Sequence, residues 1–201
     1  MSGGFRRGVA KLGWKMSKWE HKSIVVPEPG KPGILIGAPH TSNWDFILML
    51  GIAWDLGVKV RFLGKDSLFK FPLGILMRAL GGIPVNRKRP YGLVEDLIKQ
   101  AEGNDAFLLV ITPEGTRSAG KYWKSGFYRI AQQTGLPVTL GYVDKTTMTA
   151  GLGMTFEVTG DVHKDMDIVR EFYKDKAGYK PELRTEPRLR EEDREPRPEG
   201  A

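Results

Sequence analysis

The chain has 201 residues, with 31 Lys and Arg against 24 Asp and Glu, three His and no Cys. This length suits one domain with short extensions, and the lack of cysteine excludes a disulfide scaffold, a thiol nucleophile, an iron–sulfur centre and a thiolate zinc site. A formal charge of +7 predicts an anionic partner, whether nucleic acid, a phosphorylated ligand or an anionic membrane surface.

No stretch reaches the roughly 18 uncharged apolar residues of a spanning helix. The run from Phe46 to Trp54 is bounded by Asp45 and Asp55, and that from Phe71 to Met77 by Lys70 and Arg78. Basic residues recur from Arg6 to Lys22 with no apolar core between them, so no secretory signal is expected, and a cytoplasmic location is. Within residues 1–23, Phe5, Val9, Leu12, Met16 and Trp19 recur at spacings of four, three, four and three. Arg6, Arg7, Lys11, Lys15, Lys18 and Lys22 face a single acid, Glu20. That pattern predicts an amphipathic helix, either lying at a lipid headgroup surface or packed on its own domain.

Residues 24–176 alternate short apolar runs with amphipathic segments, the signature of a β/α succession. Strands are expected at Ile34 to Gly37, Val58 to Leu63, Ile83 to Val85, Phe107 to Ile111, Pro137 to Tyr142 and Met154 to Val158. Helices are expected at Trp44 to Asp55, Leu68 to Leu80, Gly92 to Gly103, Gly126 to Thr134 and Asp165 to Lys176. Residues 177–201 hold six basic and seven acidic residues, four prolines and only two leucines, a composition that predicts a disordered tail.

Two polar segments follow apolar runs. After Ile34-Leu35-Ile36-Gly37 comes Ala38-Pro39-His40-Thr41-Ser42-Asn43-Trp44-Asp45, and after Phe107-Leu108-Leu109-Val110-Ile111 comes Thr112-Pro113-Glu114-Gly115-Thr116-Arg117-Ser118. A loop entering a first helical turn brings a carboxylate five residues on back towards the imidazole, which suits a base and its orienting acid. Ser42 to Asp45 equally fits a capping box. If both strands are parallel members of one sheet, both loops meet at the edge where open α/β sheets bind ligands. There Gly115 permits close backbone approach, Thr116 offers a hydroxyl, and Arg117 offers a planar fork for phosphate oxygens or an ion pair to Glu114. Lys65, at the end of the Val58 to Leu63 strand, either adds positive potential at that edge or is a solvated loop lysine.

Together the His40-x4-Asp45 and Pro113-Glu114-Gly115-Thr116-Arg117 segments resemble the glycerolipid acyltransferase family that includes the 1-acylglycerol-3-phosphate acyltransferases. The resemblance covers roughly residues 34 to 143. It implies that His40 is the general base, Asp45 its partner, and Glu114, Gly115, Thr116 and Arg117 acceptor-site residues. Gly82-Ile83-Pro84-Val85-Asn86-Arg87 is similar to the family's strand ending in an arginine that binds the acceptor phosphate, which implies that role for Arg87. Leu136-Pro137-Val138 is similar to its fourth block. Thr112, Asn86 and Leu140 depart from residues frequent in the family, an aromatic, an aspartate and a second proline.

Other chemistries lack their motifs. No P-loop, dinucleotide glycine pattern, His-Glu-x-x-His segment or Gly-x-Ser-x-Gly elbow is present, and three scattered histidines make a poor metal site. The expectation is a single α/β domain with a mixed, largely parallel sheet flanked by helices. The reaction expected is direct acyl transfer from acyl-CoA or acyl carrier protein to a lysolipid or glycerol phosphate hydroxyl, with no metal or other cofactor. The expected setting is the inner face of the cell membrane, as a peripheral protein with no nucleic-acid partner. The alternative is a non-catalytic module that only tethers to anionic phospholipid.

Overall fold

The computed structural model describes residues 3–28, 30–85 and 107–194. Its strands are β1 (Glu20–His21), β2 (Gly33–Ala38), β3 (Val60–Lys65), β4 (Gly82–Val85), β5 (Leu108–Ile111), β6 (Val138–Asp144) and β7 (Thr149–Phe156). The α-helices among the described residues are α1 (Gly3–Met16), α2 (Asn43–Leu56), α3 (Leu73–Ala79), α4 (Gly126–Thr134) and α5 (Val162–Tyr173). The strands form one seven-stranded sheet in the order β1-β7-β6-β2-β5-β3-β4. All neighbouring pairs run parallel except β6 and β7.

The alternation of side chains along β2 divides the core. Leu35 packs with Leu48, Ile52 and Ala53 of α2 on one face, and Ile34 and Ile36 pack with Phe127 of α4 and Met166 and Val169 of α5 on the other. Because β2 lies between β5 and β6, the chain leaves it on the α2 side and returns to its neighbour β6 on the α4 side. That reversal leaves a crevice at the carboxyl ends of β2 and β5.

The local chemistry sets where α2 starts and stops. Ser42 caps it, accepting from Trp44 N–H while Asp45 reaches back in a capping box, and Gly57 ends it at φ 72° with its N–H on Ala53 O. The helix expected at Leu68 to Leu80 is instead a 3₁₀ turn, Asp66–Phe69, followed by α3, because Pro72 has no N–H to continue the first segment and fits the start of the second. The last strand begins at Thr149 rather than Met154, and the last helix at Val162, capped by Asp161, rather than Asp165. The helix expected at Gly92 to Gly103 lies outside the described residues.

Sequence composition predicted a disordered tail from residue 177, and for residues 177–194 the structure corrects this. The segment crosses the top of the domain as a strap. Leu189 is fully buried in the α4/α5 core, Trp123 N–H donates to Arg188 O, and Trp123 Nε1 donates to Thr185 O. Few apolar side chains anchor it, but its backbone groups are satisfied by the loops beneath.

On the other side of the sheet, α1 packs on α2 through Ala10 and Trp14, with Trp14 seated on Gly51. His21 is stacked under Trp14 and joins β1 to the end of α2, its Nδ1 lying 2.7 Å from Asp55 Oδ2 and its Nε2 2.6 Å from Ser23 Oγ. Ser23 Oγ also accepts from Leu152 N–H of β7, so this serine, histidine and aspartate stitch three elements together.

Candidate active site

A cavity of about 1060 Å³ opens at the carboxyl ends of β2 and β5. Its polar rim includes His40, Arg117, Thr116 and Lys65, and its wall is apolar, with Phe46, Ile47, Met49, Leu68 and Met77 among its residues. Both sequence-predicted loops therefore meet at one crevice, and Lys65 joins them from the end of β3.

His40 sits on the loop between β2 and α2 with its side chain about one-quarter exposed, and its Nδ1 lies 3.6 Å from Asp45 Oδ2. That oxygen accepts from Thr41 N–H and Ser42 N–H, each at 2.6 Å, while Asp45 Oδ1 is buried without a partner. Asp45 thus caps α2 and faces the imidazole at the same time, and the two sequence readings of this carboxylate describe one arrangement. Burial pushes the Asp45 carboxyl up to about 6, against the two backbone donors and the nearby Arg117 charge, which lower it. Burial, with a lesser push from Arg117, lowers the His40 imidazole to about 4. The ring is therefore neutral at pH 7, the state a general base requires.

Glu114 is placed differently from the sequence expectation. It does not line the cavity but lies buried beneath the two loops. Its Oε2 accepts from the backbone N–H of His40 and its Oε1 accepts from Thr185 N–H of the strap at 3.3 Å. Glu114 is therefore a clamp between the histidine loop and the strap rather than a group that touches an acceptor. Burial raises its carboxyl to about 7, partly offset by the His40 and Thr185 donors and increased again by the Asp45 charge.

Gly115 adopts φ 71° and donates its N–H to Thr112 O at 3.0 Å, closing a tight turn that swings Thr116 and Arg117 to the rim. Arg117 does not pair with Glu114. Its Nη1 donates to Asn43 Oδ1 at the start of α2, which points the guanidinium across the cavity mouth beside His40. Thr116 and Arg117 are exposed. Arg87 and Asn86 lie outside the described residues.

Sequence reasoning missed the strap's part in the site. Lys180 N–H donates to Thr41 Oγ1 at 2.9 Å, Gly120 N–H donates to Thr185 Oγ1 at 2.9 Å, and Gly178 packs on Pro39 and Thr41. Both loops are thus held by residues 60 or more positions downstream of them. A threonine within a charged, proline-bearing stretch carries no local signal of such a contact.

An open α/β sheet with a neutral histidine, a carboxylate behind it and an arginine at the mouth of an apolar cavity has the groups that base-assisted group transfer requires. Residues 20–140 match the Acyltransferase family, and the chain belongs to that family. Among solved structures it is similar to the crystal structure of the 1-acyl-sn-glycerophosphate (LPA) acyltransferase PlsC from Thermotoga maritima, with a TM-score of 0.58 and 19% sequence identity. The match covers 83% of this chain and 76% of that one. None of the curated proteins matches the sequence.

Proposed function

We propose that this acyltransferase moves a fatty acyl group from a thioester, on coenzyme A or acyl carrier protein, to the free hydroxyl of a lysophospholipid or glycerol-phosphate-type acceptor. The observation that carries this reading is the neutral His40 imidazole at the polar end of an apolar cavity, with Arg117 and Lys65 on the same rim. An apolar wall suits acyl chains, and two cations suit a phosphate next to the reacting hydroxyl. The acceptor class is that named for the Thermotoga maritima enzyme, whose fold this chain shares.

With Nδ1 turned towards Asp45, His40 Nε2 is the nitrogen left for substrate. It takes the proton of the acceptor hydroxyl as that oxygen attacks the thioester carbonyl carbon. The tetrahedral intermediate then collapses, the carbon–sulfur bond breaks, and the imidazolium returns the proton to the departing thiolate. Asp45 stabilises the imidazolium between these steps. Of the backbone donors nearby, Thr41 and Ser42 N–H are taken by Asp45 and Gly115 N–H by Thr112 O, so none of these three serves as an oxyanion donor without rearrangement. No residue of the chain is covalently modified on this route, and the thioester is a co-substrate rather than a cofactor.

The same reading places the protein on the inner face of the cell membrane. The outer stripe of α1, Phe5, Val9, Leu12 and Met16, is 43% to 79% exposed, and Phe71, Ile75 and Leu76 on and before α3 are exposed as well. Arg6 Nη2 donates to Ala79 O, which brings the two sets onto adjoining helices. Lys11, Lys15 and Lys18 beside the stripe are exposed to meet anionic headgroups. No helix among the described residues is long and apolar enough to cross a membrane.

The test is thiol release by the purified protein from acyl-CoA and acyl carrier protein across a panel of lysolipids and glycerol phosphate, with products identified by mass. Acceptor-dependent release that disappears in His40→Ala supports the reading. No release with any donor and acceptor pair overturns it.

A further inference from the structure

The surface divides by chemistry. Every large hydrophobic side chain that is exposed among the described residues belongs to positions 5–76, in or next to the α1, α2 and α3 layer. The opposite layer, formed by α4, the loop before it and the strap, presents charge. At its edge nearest the cavity lies a ridge of cations around the ring of Tyr122. Lys121 Nζ is 5.0 Å from the ring centroid, Arg190 Cζ 5.5 Å and Arg188 Cζ 5.8 Å. Lys124 extends the ridge to the site, its side chain lying 3.3 Å from where a Cβ on Gly115 would stand.

Three consecutive acids of the strap, Glu191, Glu192 and Asp193, stand beside Arg190 and are each engaged, Glu192 with Arg170 at 2.6 Å. Asp193 accepts from Tyr122 Oη and pairs with Arg188, and Glu191 pairs with Arg129 at 2.9 Å. Among the described residues no carboxylate lies within ion-pair distance of Lys121, Lys124 or Arg190, although the Lys121 charge also acts on Asp193, and all three cations are exposed. None of the ridge residues lines the cavity, so they do not enclose a small ligand. Separated cations standing on an outward surface, propped by an aromatic ring, suit a partner that brings its own face of carboxylates.

Resting on the acyl-transfer reading above, we propose that the Lys121, Lys124, Arg188 and Arg190 ridge docks a small acidic carrier protein that bears the acyl thioester on a flexible arm. The arm enters past Gly115, between the ridge and the rim residues His40 and Arg117. With the apolar layer against a membrane that holds the acceptor, the ridge faces away from it, and a water-soluble donor reaches the site from the free side. Steering by these charges raises the encounter rate and weakens with added salt.

The experiment measures steady-state kinetics with two donors, a long-chain acyl-acyl carrier protein and the matching acyl-CoA. The enzymes are wild type, the double variant Lys121→Glu/Arg190→Glu, and Lys164→Glu, which makes the same kind of charge change on exposed α5. In the double variant KM for the carrier-bound donor should rise about tenfold or more while the acyl-CoA parameters stay unchanged. Lys164→Glu should match wild type with both donors. Equal effects on both donors, or none on either, would overturn the proposal. Binding of unacylated holo-acyl carrier protein, titrated at low and high salt, separates this proposal from the acyl-transfer reading. Salt-sensitive binding lost in the double variant supports the ridge even if no turnover is found, and no binding by wild type overturns it. Loss of sedimentation with anionic phosphatidylglycerol vesicles in the double variant would assign the ridge to lipid headgroups instead and likewise overturn the proposal.

Discussion

Glu114 holds His40 by its backbone. One carboxylate oxygen of Glu114 accepts from His40 N–H and the other from Thr185 N–H, so the His40 loop, the polar loop after β5 and the strap meet at one buried group. The position of the imidazole over the cavity therefore depends on a residue 74 positions away and on a segment past the end of the family match. A site built this way is fixed by satisfied backbone donors as much as by side-chain packing.

Replacing Glu114 by Gln should test that clamp through pH. The amide keeps only one acceptor, so one buried N–H is left unmatched, and stability should fall by about 1–3 kcal/mol. The Glu114 pKa is raised in the fold from 4.5 to about 7. Its contribution to stability is then fully present below pH 4.5 and lost as pH rises through about 7. The stability advantage of wild type over Glu114→Gln should accordingly be largest at low pH and shrink towards neutrality. Thermal unfolding of both proteins across this range checks it, and an advantage that grows with pH would contradict the assignment.

His40→Ala should lower kcat by about a thousandfold or more while the protein stays folded. On the proposed mechanism, wild-type activity needs a neutral imidazole and an ionised carboxylate behind it. With His40 lowered to about 4 and Asp45 raised to about 6, kcat/KM should climb with pH across that interval and then level off. Activity that keeps rising steeply with pH above about 7 would contradict this pair of values.

Arg117→Ala should raise KM for the acceptor more than for the donor, because the guanidinium stands at the mouth rather than among the apolar wall residues. Its charge also lowers the pKa of both His40 and Asp45, so its removal should shift the acid limb of the same profile to higher pH. Asn43→Ala, which frees the guanidinium from its acceptor, should produce a weaker form of the KM effect alone. Equal losses for donor and acceptor, without a shift in the pH profile, would mark Arg117 as structural.

The sheet and the paired loops were legible in the sequence because β2, β5 and β6 are buried on both faces and read as continuous apolar runs bounded by turn residues. The first half of β7 was not. Gly151 and Gly153 break its apolar signal, yet each is a site of close packing. A Cβ at 151 would meet the Lys22 carbonyl at 2.1 Å, and one at 153 the Phe172 ring at 1.9 Å. Strand β1 has two residues and no pattern to find. The strap was illegible for a different reason. Its order comes from backbone hydrogen bonds to Glu114, Thr41 and Trp123, which composition does not report. The role of Glu114 was hidden likewise, since a motif shows which residues are present but not whether a carboxylate turns outward to substrate or inward to two amides.

The N-terminal helix offers a prediction in which packing and docking separate by face. Trp14 and Ala10 turn inward to α2, whereas Leu12 and Met16 turn outward, 56% and 79% exposed. Leu12→Glu/Met16→Glu should therefore leave thermal stability within about 0.5 kcal/mol of wild type, as exposed substitutions do. The same variant should lose sedimentation with phosphatidylglycerol vesicles, because burying two carboxylates at the headgroup boundary opposes both the apolar and the electrostatic attraction. Trp14→Ala should do the reverse in the first respect, costing about 3 kcal/mol, the low end for a core tryptophan because the ring seated on Gly51 is only half-buried. Activity on a lysolipid presented in detergent micelles should survive in the charge variant and fall when the lysolipid is presented in vesicles. If the charge variant still sediments with anionic vesicles, the outward stripe of α1 is not what meets the bilayer, and the exposed residues around α3 become the surface to alter next.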